Sequence, residues 1–306
     1  MNNRKNILVV ASILLLVGLA LCLVSARSGS QPDFLAAGSQ RTEITYEKQE
    51  YQAAVQGIET VLVRARDMPV TVLPGDGDQI TIEYFTCEED PYDVTLENGV
   101  LALKCKYDSS PFSRTTSSWF FFVSNSVNVV THPRTEVKVY VPQGYAGDFQ
   151  LDTSNAGINV SSFPAVGEVR VGTSNGNVEI EKIGAQMVDA RTSNAAMTLT
   201  EVAAKRSFTA ATSNGALTVR RAASGEKLQL ETSNGHVAVE EIAAPAIDIR
   251  TSNAAVTGNV GGNREDYTIS SSTSNASNNL NSGGSGQRRL TVETSNGAID
   301  VRFFGD

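Results

Sequence analysis

The sequence has few of the residue types on which catalysis and metal binding usually depend. Only two histidines occur among 306 residues, His132 before Pro133 and His236 beside a repeat. Neither has another histidine or a cysteine at a spacing typical of metal ligands. Phosphate-binding, dinucleotide-binding and nucleophile-elbow motifs are also missing. We therefore expect a protein that is not an enzyme and that has no metal site and no cofactor.

The chain also lacks an excess of basic charge. It has 25 lysines and arginines against 33 aspartates and glutamates, which gives a net charge of −8. Nucleic-acid binding requires a basic footprint, so this class of function is excluded. The hydrophobic fraction of 41% is nevertheless large enough for a sizeable core.

The most informative feature of the sequence is a repeat. The tripeptide Thr-Ser-Asn occurs eight times, at steps of 20, 19, 20, 20, 19, 22 and 21 residues. A period this regular is typical of stacked units that bury their apolar faces against their neighbours. The threonines are Thr153, Thr173, Thr192, Thr212, Thr232, Thr251, Thr273 and Thr294.

Apolar residues occupy fixed places in each unit. Counted from the threonine, positions −4 and −2 are apolar in most units, and so are positions +5 and +7. Alternation with polar residues predicts strands with one buried face, and the change of parity across Thr-Ser-Asn predicts a corner. We therefore predict an all-β fold, a single-stranded β-solenoid (β-helix-like) of about 20 residues per coil over residues 147–306.

An array of antiparallel hairpins that turn at Asn-Gly is the alternative fold. Four of the corner asparagines argue against it, because alanine follows them and alanine resists the positive φ that such turns need. These are Asn155, Asn194, Asn253 and Asn275.

The N-terminal segment predicts a membrane anchor over residues 1–27. Arg4 and Lys5 precede an uncharged apolar run, residues 7–26, which is long enough as a helix to span a bilayer. The positive flank should stay in the cytoplasm and place the rest of the chain outside the bacterial cell membrane. Cleavage after Val24-Ser25-Ala26, which would release a secreted protein, is the alternative. We expect Cys22 to be an ordinary membrane residue.

Two regions separate the anchor from the repeats. Residues 28–54 are small and polar and are expected to form a linker. Residues 55–146 are expected to form a β region, either a cap or drifted first coils of the solenoid. Cys87 and Cys105 in this region are a candidate disulfide in an exported protein. Two thiols are the alternative, because a simple meander would place the cysteines two strand spacings apart.

Four consecutive aromatic residues, Trp119, Phe120, Phe121 and Phe122, are too many for one face of a strand. They form either a strand buried on both sides or an exposed contact patch for a partner or a membrane surface.

The last two units differ from each other. The seventh has Ser271 and Asn278 at core positions, so we expect it to be the loosest coil. The eighth regains the pattern and is expected to end the stack. An open solenoid end invites association, so Phe303 and Phe304 either cover that end or contact a second subunit in self-association.

The repeated asparagines are the clearest candidate site. Because every coil has one at the same corner, we expect a ladder in which each side chain hydrogen-bonds to the neighbouring rung. A ligand-binding stripe is the alternative. The members are Asn155, Asn175, Asn194, Asn214, Asn234, Asn253, Asn275 and Asn296.

The anchor followed by strand, Thr-Ser-Asn-Gly and strand units resembles a bacterial β-strand-repeat family of unknown function labelled "putative adhesin". The resemblance is best over Val137 to Val301, includes Val139 to Pro142, and is weaker from Ile58 to Tyr107. It implies an envelope-associated β-solenoid that acts as an adhesin or in envelope stress signalling. It provides no catalytic residues.

We therefore expect a membrane-anchored, extracytoplasmic and non-catalytic β-repeat protein that acts as a surface scaffold or adhesin-like module. Its partner would be an envelope protein or a glycan. A component of cell-envelope stress signalling is the alternative. A carbohydrate-active β-helix enzyme ranks third, because the repeat faces lack aromatic platforms.

Overall fold

The computed structural model describes residues 45–88, 90–106 and 135–305. The predicted anchor, Cys22, His132 and the Trp119–Phe122 patch lie outside these ranges. No helix within the described ranges has both the length and the hydropathy needed to cross a bilayer.

The described residues form twenty strands and a 3-10 turn at Arg264–Asp266. The strands are β1 (Glu47–Ala54), β2 (Thr60–Arg64), β3 (Val70–Gly75), β4 (Gln79–Thr86), β5 (Tyr92–Glu97), β6 (Val100–Cys105), β7 (Val137–Pro142), β8 (Asp148–Asp152), β9 (Ile158–Gly172), β10 (Val178–Arg191), β11 (Met197–Ala211), β12 (Leu217–Arg220), β13 (Ala223–Ser224), β14 (Lys227–Glu231), β15 (Val237–Ile242), β16 (Ala246–Arg250), β17 (Val256–Val260), β18 (Tyr267–Ser272), β19 (Arg288–Glu293) and β20 (Ile299–Phe303).

Parallel pairing builds two ladders, one on each side of the Thr-Ser-Asn corner. Before the corner, Phe149 pairs with Val169, Val169 with Val188, and Val188 with Phe208. After the corner, equivalent residues such as Ile158, Val178 and Met197 pair in the same way. From the first to the sixth unit each rung advances by the 19 or 20 residues of the sequence period, so the all-β, solenoid-like prediction is confirmed. Parallel pairing excludes the hairpin array.

A second corner follows at position +9 of five coils, where a residue other than glycine has a positive φ of 47–69°. These residues are Ser162, Lys182, Glu201, Arg221 and Glu241. The apolar residue that follows each of them is buried, as Phe163 and Ile183 show. The left-handed backbone turns the chain here and directs the next side chain into the core.

The core is the column of inward positions that the sequence predicts. The −4, −2, +5 and +7 side chains of the regular units are almost all fully buried, and together they form one continuous cluster. Val188, Met197, Leu199 and Phe208 have no exposed surface. Burial of this column is the main favourable contribution to folding, because each apolar side chain contributes about 1.5–3 kcal/mol.

The stack begins earlier than Thr-Ser-Asn indicates. β2 pairs in parallel with β8, and β3 pairs in parallel with β9, so residues 58–73 form a coil that we call coil zero. Its corner is Ala65-Arg66-Asp67, and its inward residues are Val61, Val63, Val70 and Val72. A further coil outside it contains β6 and β7.

Antiparallel strands cover the N-terminal end. β5 pairs with β6 in one ladder, while β4 pairs with β7 and β1 pairs with β4 in the other. The described part of residues 55–146 therefore contains strands that pair in parallel with the repeats and antiparallel strands beside them. The structure also places β1 inside the segment 28–54 that the sequence assigns to a linker.

The order of the last two coils differs from their order in the chain. β19 pairs with β16 on one side and with β18 on the other. β20 pairs with β17, and Asn278 forms a bridge to Ile299. The eighth unit is therefore inserted between the sixth and the seventh, and the expectation that it ends the stack is wrong.

The polar seventh unit is suited to its position at the end of the stack. The Asn279 side chain bonds to the Val301 backbone in both directions, at 3.0 and 3.1 Å, and so caps β20. Gly283 exchanges two backbone hydrogen bonds with Ile269 and covers part of the edge of β18. Ser271 and Asn278 bond to each other at 2.8–3.1 Å. The Asn279 and Gly283 contacts satisfy strand-edge groups that would otherwise be open to another chain.

Candidate functional site

The eight corner asparagines form one uninterrupted column of hydrogen bonds. Each Nδ2 donates to the Oδ1 of the adjacent coil at 2.6–2.8 Å, as Asn194 does to Asn175 and Asn214 to Asn194. The column follows the spatial order of the coils, so Asn296 lies between Asn253 and Asn275. Because seven of the eight amides both donate and accept, the bonds can polarise one another.

Among the residues that the structure describes, the column ends on a carboxylate. Asn155 donates to Asp67 of coil zero. Every amide in the column donates toward this end, so the last N–H needs an acceptor there. A carboxylate accepts a stronger hydrogen bond than a neutral amide oxygen does. Sequence reasoning missed Asp67, because Ala65-Arg66-Asp67 replaces Thr-Ser-Asn. The signal that could have found it is the set of valines at positions −4, −2, +5 and +7 around Ala65.

A buried column of threonine hydroxyls runs beside the asparagines. Each hydroxyl donates to the backbone carbonyl at position +3 of the adjacent coil, as Thr173 does to Ala156 at 3.1 Å. In the glycine-containing corners, the glycine N–H donates back to the same hydroxyl, as Gly215 does to Thr212 at 3.2 Å. The corner therefore satisfies its own buried polar groups.

Glycine is needed in these corners because the adjacent coil leaves no room for a side chain, not because the backbone has a positive φ. A Cβ atom at Gly176, Gly215, Gly235 or Gly297 would overlap the carbonyl of the adjacent coil. None of the four has a positive φ. The corner is therefore not the Asn-Gly turn of a hairpin, which requires φ above zero.

The outer edge of this corner is polar and neutral. The serine and the asparagine are exposed in all eight repeats. In the column each asparagine donates one N–H, and Asn194 also donates to the Ser174 carbonyl at 3.4 Å. A carboxamide has a second N–H and further lone pairs for other contacts. The corner is thus a ridge of regularly spaced hydrogen-bonding groups that also links each coil to the next.

The outward face before the corner is charged, and its charges are paired. Arg250 Nε lies 2.9 Å from Asp248 Oδ1 and 3.5 Å from Glu293 Oε2. The hydrogen bond to Asp248 raises the pKa of Arg250 above its usual range. Such exposed pairs add little stability. Because acidic and basic side chains alternate, this outward face has charges of both signs rather than an excess of one sign.

The remaining predicted site residues have local partners. His236 Nε2 lies 3.0 Å from Thr257 Oγ1 on the outer face. Cys105 Sγ donates to Asp90 Oδ1 at 3.3 Å, and no disulfide joins Cys105 to Cys87. Of the two alternatives for the cysteines, the structure has the thiols. Within residues 45–88, 90–106 and 135–305, no cluster of three or more His, Cys, Asp or Glu side chains is arranged to hold a metal ion.

Residues 58–302 match the family described as Toastrack DUF4097. The chain belongs to this Toastrack family. The match begins at coil zero and extends through the inserted eighth unit, so both belong to the Toastrack domain, whereas β1 precedes it. The resemblance drawn from the repeat is confirmed.

Other comparisons add little to the Toastrack assignment. A putative cell adhesion protein from Clostridium sporogenes is 10% identical, with 85% of this chain and 100% of that chain covered and a TM-score of 0.29. A putative adhesin from Bacteroides fragilis is 11% identical, with 84% and 97% covered and a TM-score of 0.40. At these TM-scores neither likeness carries an argument. No curated protein matches the sequence.

Proposed function

We propose that this Toastrack protein is a non-catalytic binding scaffold, displayed on the outer side of a bacterial cell membrane by its N-terminal segment. One observation carries the proposal. The apolar side chains of the repeats are buried in a single column, while the outward positions form exposed surfaces of polar and charged side chains across many rungs. Such surfaces suit contact with an extended partner.

The packing of the coils supports a scaffold role. Side chains and backbone of each corner bond to the coils on both sides, so the surface positions keep a fixed spacing of about 4.8 Å per rung. Preorganised contact groups bind with a smaller loss of entropy than mobile ones. The expected partner is an envelope protein or a glycan.

A truncation tests the proposal. Deleting residues 1–40 should release the domain into solution while it retains its binding to cell surfaces or to isolated envelope material, measured by co-sedimentation. Loss of a stress phenotype in the truncated strain, with no binding by the soluble domain, would instead favour a signalling component. Hydrolysis of an envelope glycan by the domain would contradict the non-catalytic role.

A further inference from the structure

A shallow groove of about 370 Å³ crosses the outer surface of the N-terminal cap. Four strands form this surface in the order β1, β4, β7 and β3. Tyr140 on β7 lies between Thr81 on β4 and Leu73 on β3, and Gln52 on β1 lies next to Thr81. Each row across the four strands spans about 14 Å, at about 4.8 Å between strands.

Tyr140 points outward into this groove. Its neighbours Val139 and Val141 are fully buried on the inner face, so the alternation of the strand directs the tyrosine to the outside. Tyr140 remains partly exposed. Gly75 keeps the space beside it open, because a Cβ atom there would lie only 3.0 Å from Tyr140 Cβ.

Oxygen acceptors are held in place around the ring. Lys48 Nζ lies 2.9 Å from Glu83 Oε1, and Gln52 Nε2 donates to Glu50 Oε1 at 2.7 Å. Gln79 and Thr81 add an amide and a hydroxyl to the wall. The two glutamates are thus positioned by partners, and each carboxylate has further lone pairs for a ligand.

The groove continues past the β3–β4 turn. Pro74, Gly75 and Asp76 line both this groove and a neighbouring one of about 540 Å³, which also contacts Gln143 and Tyr145. The two grooves together suit a linear ligand of several units rather than a single small molecule.

We propose that this groove, with Tyr140 as its platform, binds a neutral glycan chain. A pyranose ring presents C–H groups on one face and hydroxyl groups around its edge. An aromatic face beside fixed carboxylate, amide and hydroxyl groups matches that pattern. Even with Glu83 paired to Lys48, the carboxylates of Glu50 and Asp76 leave the groove with an excess of negative charge, which would repel uronate or sulfated sugars. The inference rests on the proposed binding function and specifies its ligand class.

The test uses the full-length protein in detergent and isothermal titration with linear hexasaccharides. The neutral probes are cellohexaose, maltohexaose and N-acetylchitohexaose, and the anionic probe is a hexauronate. At least one neutral probe should bind, and the hexauronate should not. Tyr140→Ala should weaken binding at least tenfold, whereas Tyr140→Phe, which keeps the ring, should stay within about threefold.

Thr218→Ala is the matched control, because Thr218 is an outward residue of the same ladder far from the groove. It should leave affinity unchanged, and thermal melts should show that all variants are folded. No binding of any neutral probe, or equal binding by wild-type protein and Tyr140→Ala, would overturn the inference. In either case, retained binding to envelope material would leave the scaffold function standing. Loss of both would remove the two proposals together.

Discussion

At the residue scale, the asparagine column links the coils through exposed side chains. A single asparagine takes part in two links, one to each neighbouring coil, and the backbone of the same corner adds Ser-to-Ser and Asn-to-Ser bonds. The side-chain links therefore supplement a backbone ladder that already exists. We expect them to contribute modestly to stability and more strongly to the alignment of the coils.

The double replacement Asn214→Ala/Asn234→Ala removes three consecutive links. Since an exposed hydrogen bond contributes at the lower end of 0.5–1.5 kcal/mol, the free energy of unfolding should fall by about 1–2 kcal/mol. Urea unfolding followed by circular dichroism measures the change. Ser213→Ala, which removes an exposed hydroxyl from the same corner, should have little effect. Unaltered stability of the double variant would contradict the ladder.

Gly215 tests the close approach of two corners. In Gly215→Ala the new methyl group would overlap the Ala195 carbonyl oxygen, so the coils must move apart. We expect a loss of about 1–3 kcal/mol, as for other overpacked sites. Gly144→Ala is the control, because a Cβ there meets nothing within 4 Å. If both variants unfold at the same urea concentration, the corners are not in contact as described.

At the element scale, the inserted eighth unit is the least expected feature. The seventh unit passes outside it and forms the end of the stack, where polar core residues can reach solvent or cap strand edges. Had the coils stacked in chain order, Ser271 and Asn278 would lie between two apolar layers, which disfavour polar groups. The insertion therefore explains the polar residues of unit seven.

Engineered cysteine pairs distinguish the two orders of the coils. Thr257 on β17 and Asp300 on β20 are direct neighbours. Their Cα atoms should be about 5 Å apart, within the reach of a disulfide. In a chain without its three native cysteines, Thr257→Cys/Asp300→Cys should therefore cross-link on oxidation.

Thr257→Cys/Asn279→Cys is the matched comparison. Asn279 lies on the far side of Asp300, to which its Nδ2 donates at 2.9 Å. Two strand spacings, about 9–10 Å, are too far for a disulfide. Mass spectrometry of the cleaved peptides identifies the bond. A cross-link in this second pair, and none in the first, would show that the coils follow the chain.

At the scale of the whole molecule, the buried tyrosines of the N-terminal coils couple stability to alkaline pH. Burial raises the pKa of Tyr92 and of Tyr145 above its ordinary value, and nearby carboxylates add to the shift. Tyr92 Oη accepts the Arg66 N–H at 3.2 Å, and Tyr145 Oη donates to the Asp148 carbonyl at 3.2 Å. Both hydroxyls remain protonated where unfolded tyrosine ionises.

The contribution of these two tyrosines to stability should therefore be constant below about pH 10, the ordinary tyrosine pKa, and fall as the pH rises above it. The unfolded chain releases protons there that the folded chain retains. Urea midpoints from pH 8 to 11.5, with tyrosinate absorbance recorded in parallel, measure the effect. Tyr145→Phe should make the decline less steep. A decline of equal slope in this variant would exclude Tyr145 as a cause.

The repeat made much of the fold predictable. Period and parity identify the strands, the corners and the inward positions from Phe149 to Val301. A strand with one buried face alternates apolar and polar residues, and this alternation is visible in the sequence. Coil zero was harder to recognise, because Ala65-Arg66-Asp67 replaces Thr-Ser-Asn there. Only the valines at the inward positions of this coil follow the repeat pattern. The Tyr140 groove could not be predicted, because β7, which carries Tyr140, is distant in sequence from β1, β3 and β4 and pairs with β3 and β4 only in the folded cap.

The sequence by itself thus determined that the chain makes stacked parallel rungs with one dry interior and a polar corner, because spacing and polarity are local properties. Only the tertiary structure decided that unit eight is stacked between units six and seven, and that Asp67 accepts the last bond of the asparagine column. The physical reason is that every rung presents nearly the same edge of backbone donors and acceptors. The choice of neighbour therefore depends on contacts between distant segments, such as the cap that Asn279 places on β20.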